Sequence, residues 1–167
     1  MNILQTEFLS FISEAAPEQK VIVHHENDYA VFKFDFLENS EYEIELYLYD
    51  DDPTIEAGIV ASLKSKSDSE SFWYMPFEPQ AYNTSDLLLK ELKESIILLI
   101  THKSRITQKK GAITWKFFCE YQEDNLWKPI YSMCSLRFTV KVPKIAGDEK
   151  VYFCIPKTKS IEPSPSL

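Results

Sequence analysis

Between Phe34 and Leu63 the chain places nine carboxylates (Asp35, Glu38, Glu41, Glu43, Glu45, Asp50, Asp51, Asp52 and Glu56) and no Lys or Arg. At its centre, Tyr42 to Tyr49 alternates strictly between apolar and polar residues. As a strand, this segment sets Glu41, Glu43 and Glu45 along one face and carries Tyr47 and Tyr49 on the same line. A row of like charges has an electrostatic cost, so it invites a functional explanation. Such a face could dock a basic, partly apolar partner, with carboxylates steering the encounter and tyrosines supplying contact area. The plainer reading is the solvated face of a half-covered sheet, with Glu guarding against edge pairing.

The other chemistry-bearing groups are weaker signals. Asp50, Asp51 and Asp52 with Glu56 offer oxygens to a hard cation, but their register is not that of an EF-hand loop. Pro53 follows directly, and a turn is the better reading. His24 and His25, followed by Glu26 and Asp28, form the one histidine cluster. Neighbouring strand residues point to opposite faces, so the two rings are badly placed to share a metal. One could act as a general base with a distant carboxylate. Structurally, one should pack beneath the sheet and the other lie exposed. Cys119 and Cys134 fall on apolar strand faces and read as small core residues. Cys154 falls on a polar face and reads as the more exposed thiol.

One basic patch exists: Lys103, Arg105, Lys109, Lys110 and Lys116, with Trp115 and Phe118 close by in sequence. That interleaving occurs at nucleic-acid surfaces. The competing reading, a helix C-terminus and loop complementary to the chain's own acidic half, fits the overall charge better. Glu91-Leu92-Lys93 matches half of a nuclease carboxylate–x–Lys pattern, but Leu92 belongs to a helix core stripe. No Gly-x-Ser-x-Gly, Walker loop, dinucleotide fingerprint or His-Glu-x-x-His is present.

The bulk numbers set limits on these readings. The 167 residues carry a formal net charge of −8, unevenly spread. Residues 1–82 hold 17 acidic and 4 basic side chains, and residues 83–167 hold 9 and 14. The balance argues against phosphate-backbone binding as the main task and suits a cationic partner. Three cysteines without a CxxC pair are not a disulfide framework. No signal peptide is recognisable, and the longest apolar run, Ile96 to Ile100, is too short to span a bilayer. The expectation is a cytoplasmic protein with reduced thiols.

Positioning these groups requires two helices and a series of strands. Leu4, Phe8, Phe11, Ile12 and Ala15 have helical spacing, with Pro17 as the stop. Strands are expected at 20–26, 29–37, 41–49 and 55–63, and a short one at 72–77 confined to an edge by Pro76 and Pro79. The polar segment 64–71 reads as a loop. Thr84, Ser85 and Asp86 are N-cap candidates for a long helix reaching about residue 105, with Leu88, Leu92, Ile96, Leu99 and Ile100 inward. In that reading His102, Lys103 and Arg105 lie in its last turns. Strands follow at 112–122, 130–142 and 151–155.

The pattern predicts one α+β domain over residues 1–155 and a flexible tail over 156–167. Its form is two-layered: a mainly antiparallel sheet of about six to seven strands, with an N-terminal helix and one long central helix packed on one face. The element order is similar to that of small acidic α+β secretion chaperones and some toxin-immunity proteins, a likeness of layout. The acidic first half and the missing catalytic constellation, together with that likeness, point to a non-enzymatic protein-binding module of inhibitor, immunity or chaperone type. Glu41, Glu43, Glu45, Tyr47 and Tyr49 would bind a basic protein partner, with no catalytic residue, metal, cofactor, nucleic acid or membrane involved. The alternative is a small enzyme or ligand-binding domain, its aromatic pocket between the long helix and the sheet.

Overall fold

The computed structural model describes residues 3–26, 29–51, 54–64, 71–110, 114–136 and 149–157. Helix α1 (Ile3–Ala15) is followed by β1 (Val21–His25), β2 (Tyr29–Phe34), β3 (Tyr42–Asp51), β4 (Thr54–Leu63) and β5 (Ser71–Phe77). A single 3-10 turn (Pro79–Ala81) leads into α2 (Ser85–Thr101). Then come β6 (Ser104–Lys110), β7 (Thr114–Glu123), β8 (Leu126–Leu136) and β9 (Glu149–Cys154).

The α+β class and the two covering helices are as expected, but the strands form two antiparallel sheets rather than one. Five strands form a meander in the order β1-β2-β3-β4-β5, and four form a second sheet in the order β8-β7-β6-β9. Against the expected six to seven strands, the described residues form nine. Much of the difference arises at β6, expected as helix end and basic loop. Ser104–Lys110 carries one large aliphatic, Ile106, so it shows almost no hydrophobic period. It forms a strand because tertiary pairing supplies what the sequence lacks: β7 on one side, β9 on the other.

Helix α2 stops at Thr101, where His102 takes an extended φ of −116°. The His102 N–H closes the last turn on the Leu98 carbonyl, while Thr101 Oγ1 donates back to the Ile97 carbonyl at 2.6 Å and bonds His102 Nδ1 at 2.8 Å. Lys103 therefore lies beyond the helix and Arg105 within β6. At the other end Thr84 is the N-cap, accepting from the Leu87 N–H at 3.2 Å, and Asp86 sits in the positive first turn.

Both helices cover one face of the five-stranded sheet. Phe8 and Ile12 of α1 are buried, with Phe8 edge-on to Phe32 at 5.6 Å. The predicted stripe of α2 is wholly buried. Ile59, Trp73 and Phe77 of the first sheet and the buried stripe of α2 belong to one hydrophobic core. Ile106, Phe117, Cys119 and Cys154 of the second sheet join the same core.

Two devices join the sheets. Tyr42 of β3, fully buried, shares a 2.8 Å hydroxyl bond with Ser104 of β6. The segment between β2 and β3 also runs along the outer edge of β9. Leu37 N–H and Glu41 N–H donate to the carbonyls of Ile155 and Phe153. Ser40 Oγ accepts from Ile155 N–H, and Glu41 Oε2 accepts from Phe153 N–H at 2.7 Å. Side chains thus replace a neighbouring strand and close that edge. Pro76 lies on β5, an edge strand as expected, and Pro129 on β8, another edge, beside a register shift at Cys119/Glu120. Asp124 and Asn125 both take positive φ, 51° and 61°, the two-residue turn that matches hairpin twist.

Of the expected tail, Pro156 bridges Phe36 and Lys157 pairs with Asp35 at 2.9 Å. Residues 158–167 lie outside the described residues, as do 65–70, most of the polar loop.

Candidate functional site

The helices leave the other face of the five-stranded sheet uncovered. Strand alternation and register bring Tyr29, Val31 and Lys33 of β2 onto it, beside Glu43, Glu45, Tyr47 and Tyr49 of β3. Glu56, Gly58 and Val60 of β4 and Tyr74 and Pro76 of β5 continue it. Tyr29 lies directly opposite Tyr49, with ring centroids 5.0 Å apart, and 5.8 Å from Tyr47. Tyr74 lies across Gly58 so closely that a Cβ there would stand 2.3 Å from its ring. The absence of a side chain at Gly58 gives the ring its seat. Val31, opposite Tyr47 on the same face, is only 7% exposed.

The acidic row is less free than its sequence suggests. Glu45 accepts from Lys33 Nζ at 2.8 Å through one oxygen and from the Tyr47 hydroxyl at 2.8 Å through the other. Burial, and then that donation to Glu45, hold the Tyr47 phenol well above its ordinary range. The hydrogen bond that the Lys33 ammonium donates to Glu45 likewise raises its own pKa. Glu43, largely exposed, has Lys64 at 3.8 Å. The two lysines flanking the acidic stretch in sequence thus fold back onto it, whereas Lys109 pairs with Glu149. Glu41 precedes β3 and spends one carboxylate oxygen on the β9 edge. The five expected residues therefore separate: Glu43, Glu45, Tyr47 and Tyr49 share the open face, and Glu41 serves the junction between sheets. The side chains of Asp50, Asp51 and Asp52 lie outside the described residues. Among the described residues no group of three or more His, Cys, Asp or Glu is placed to hold a metal ion.

Tyr29 and Tyr74 are additions to the expected site. Tyr29 could have been found by extending the alternation of β2 and pairing it across to β3. Tyr74 could not, because its seat depends on a Gly in a neighbouring strand.

The remaining candidates are displaced. His24 and His25 are both exposed on edge strand β1, which corrects the expectation that one packs beneath the sheet. Cys154, expected on a polar face, is completely buried, as is Cys119. Its inward side is set by pairing with Ser104, which a short strand's own pattern does not reveal. Burial pushes the Cys154 thiol up to about 12 and Cys119 still further up. Cys134 lies in β8 opposite Lys116.

Lys103, Arg105, Lys109 and Lys116 gather on the face of the second sheet that no described helix covers, and the side chain of Lys110 lies outside the described residues. Arg105 Nε meets Glu120 at 2.7 Å and its guanidinium lies 4.3 Å over Trp127. Lys103 lies 5.0 Å over Phe153 and 5.9 Å over Trp127, and Lys109 lies 5.6 Å over Phe118. Of the two expected aromatics, Phe118 falls on this face and Trp115 alternates to the other. A groove of about 430 Å³ crosses it, lined by residues including Arg105, Thr107, Lys109, Phe118 and Ser132. A second groove, about 890 Å³ and more apolar, runs between α1 and α2 past Phe11, Leu89 and Ile97.

No family model, no curated protein and no solved structure matches this chain. Among the described residues no helix is long and apolar enough to cross a membrane.

Proposed function

We propose that this chain is a non-enzymatic protein-binding module of the inhibitor, immunity or chaperone kind, holding a basic partner on the open face of its first sheet. The observation that carries the reading is the set of four tyrosines, Tyr29, Tyr47, Tyr49 and Tyr74, on a sheet face that no helix among the described residues covers. Tyrosine offers large contact area with few rotatable bonds, and interface centres are enriched in it. The Lys33–Glu45–Tyr47 network fixes part of that area in advance, which lowers the ordering cost of binding. Glu43 and Glu56, exposed at its margin, attract a cation without a large desolvation cost. Two free, buried thiols suit a reducing compartment such as the cytoplasm.

The test is affinity capture from the native cell, followed by titration of the captured protein against variants. Tyr49→Ala with Tyr74→Ala should weaken binding at least tenfold, since half-buried aromatic anchors carry about 2 kcal/mol or more each. Glu43→Lys with Glu56→Lys should slow association and reduce its salt dependence. Equal retention of every partner by both double variants would remove this face from the function.

A further inference from the structure

The open face of the second sheet has the opposite chemistry, and its geometry is that of a track. Lys103, Arg105 and Lys109 lie along one line of the chain, spanning about 20 Å at strand rise. Each rests on an aromatic ring, so the cations are held in place rather than free in solvent. Lys116 pairs in register with Lys109 and extends the line onto β7. Glu120 and Glu149 offset two of these four charges. Lys103 and Lys116 have no ion-pair partner among the described residues. Between the charges lies the groove, with Phe118 flanked in register by Thr107 on β6 and Ser132 on β8.

We propose that this face binds single-stranded nucleic acid. The phosphates follow Lys103, Arg105, Lys109 and Lys116, a base stacks on Phe118 as the Lys109 ammonium moves from the ring to a phosphate, and Ser132 offers an exposed hydroxyl beside it. An open four-stranded sheet with a ring at its centre and cations along a strand suits flat bases on a charged backbone. An acidic peptide would satisfy the lysines but leave the Phe118 ring without a flat partner.

The net charge of −8 argued against a polyanion, but that sum ignores position. The carboxylates are concentrated in residues 1–82, which hold the whole first sheet. At physiological ionic strength charges more than roughly 8 Å apart are largely screened, so the local surplus governs what the track attracts.

The experiment is fluorescence anisotropy of a labelled oligo-uridine with the full chain, at low and physiological salt. Log affinity should fall against log salt with a slope of roughly −2, for about three phosphates neutralised on a single strand. Lys103→Ala with Lys116→Ala should weaken binding at least tenfold and flatten that slope. Phe118→Ala should weaken it about fivefold or more and leave the slope unchanged, because stacking releases no counterions. Circular dichroism establishes that each variant is folded, and Phe118→Tyr, which retains a ring, should restore binding. No binding at low salt overturns the proposal. So does equal binding by Phe118→Ala, or tighter binding of poly-glutamate than of the oligonucleotide, which assigns the face to an acidic protein.

Discussion

Cys119 and Cys154 are kept as neutral S–H groups by burial, and that fixes how stability responds to alkali. Below the ordinary thiol pKa, 9.0, folded and unfolded chains hold the same protons, and this contribution is complete. Above it the unfolded thiols ionise first, so folding must take protons up. Stability then falls by about 1.4 kcal/mol per pH unit for each thiol, until the folded pKa is passed. Tyr42, held well above its ordinary value of 10.0 by burial, adds a decline of the same sign from there upward. Thermal midpoints should be flat to about pH 9 and fall beyond it, more gently in Cys119→Ala with Cys154→Ala. An unchanged alkaline slope in that variant would clear the thiols of the effect. At this scale the sequence revealed residue types and faces. It did not reveal that Glu45 is already engaged, because its partners come from β2 and from two positions along its own strand.

Ser40 and Glu41 show an element completed by side chains. Ser40 Oγ both accepts from Ile155 N–H at 2.9 Å and donates to its carbonyl at 3.1 Å. Ser40→Ala removes both bonds from a nearly buried site and should cost about 1–2 kcal/mol. Urea denaturation measures it, with the midpoint lowered at unchanged slope. A midpoint equal to wild type would mean that water replaces the hydroxyl. Helix α2 and strands β3 and β4 were legible beforehand, since each carries its period across many residues. Strand β6 and the 36–41 junction were not: both are specified by long-range partners, and their own residues are mostly polar.

Across the whole molecule, the charge asymmetry read from the two halves of the chain becomes a difference between two sheets. The division into sheets itself could not be read, because nothing local marks where one sheet ends and the next begins. A shared core nevertheless ties them together through Ile106, Phe117, Cys119 and Cys154. Ile106 is completely buried, and Ile106→Ala should cost about 2–5 kcal/mol. Amide exchange should then show protection falling by a similar free energy in both sheets; loss confined to the second would show that they open separately.

The place of β9 beside β6 has a consequence for the order in which the fold can be completed. The first sheet pairs only consecutive strands, so its contacts are local and it can form while synthesis continues. Strand β9 is made after the other eight described strands, yet it pairs with the inner strand β6 and seats the 36–41 segment made long before it. Until it arrives, β6 has an unpaired edge and Ser40 and Glu41 have nothing to cover. The nascent chain is thus more open to intermolecular strand pairing for as long as β9 is still unmade.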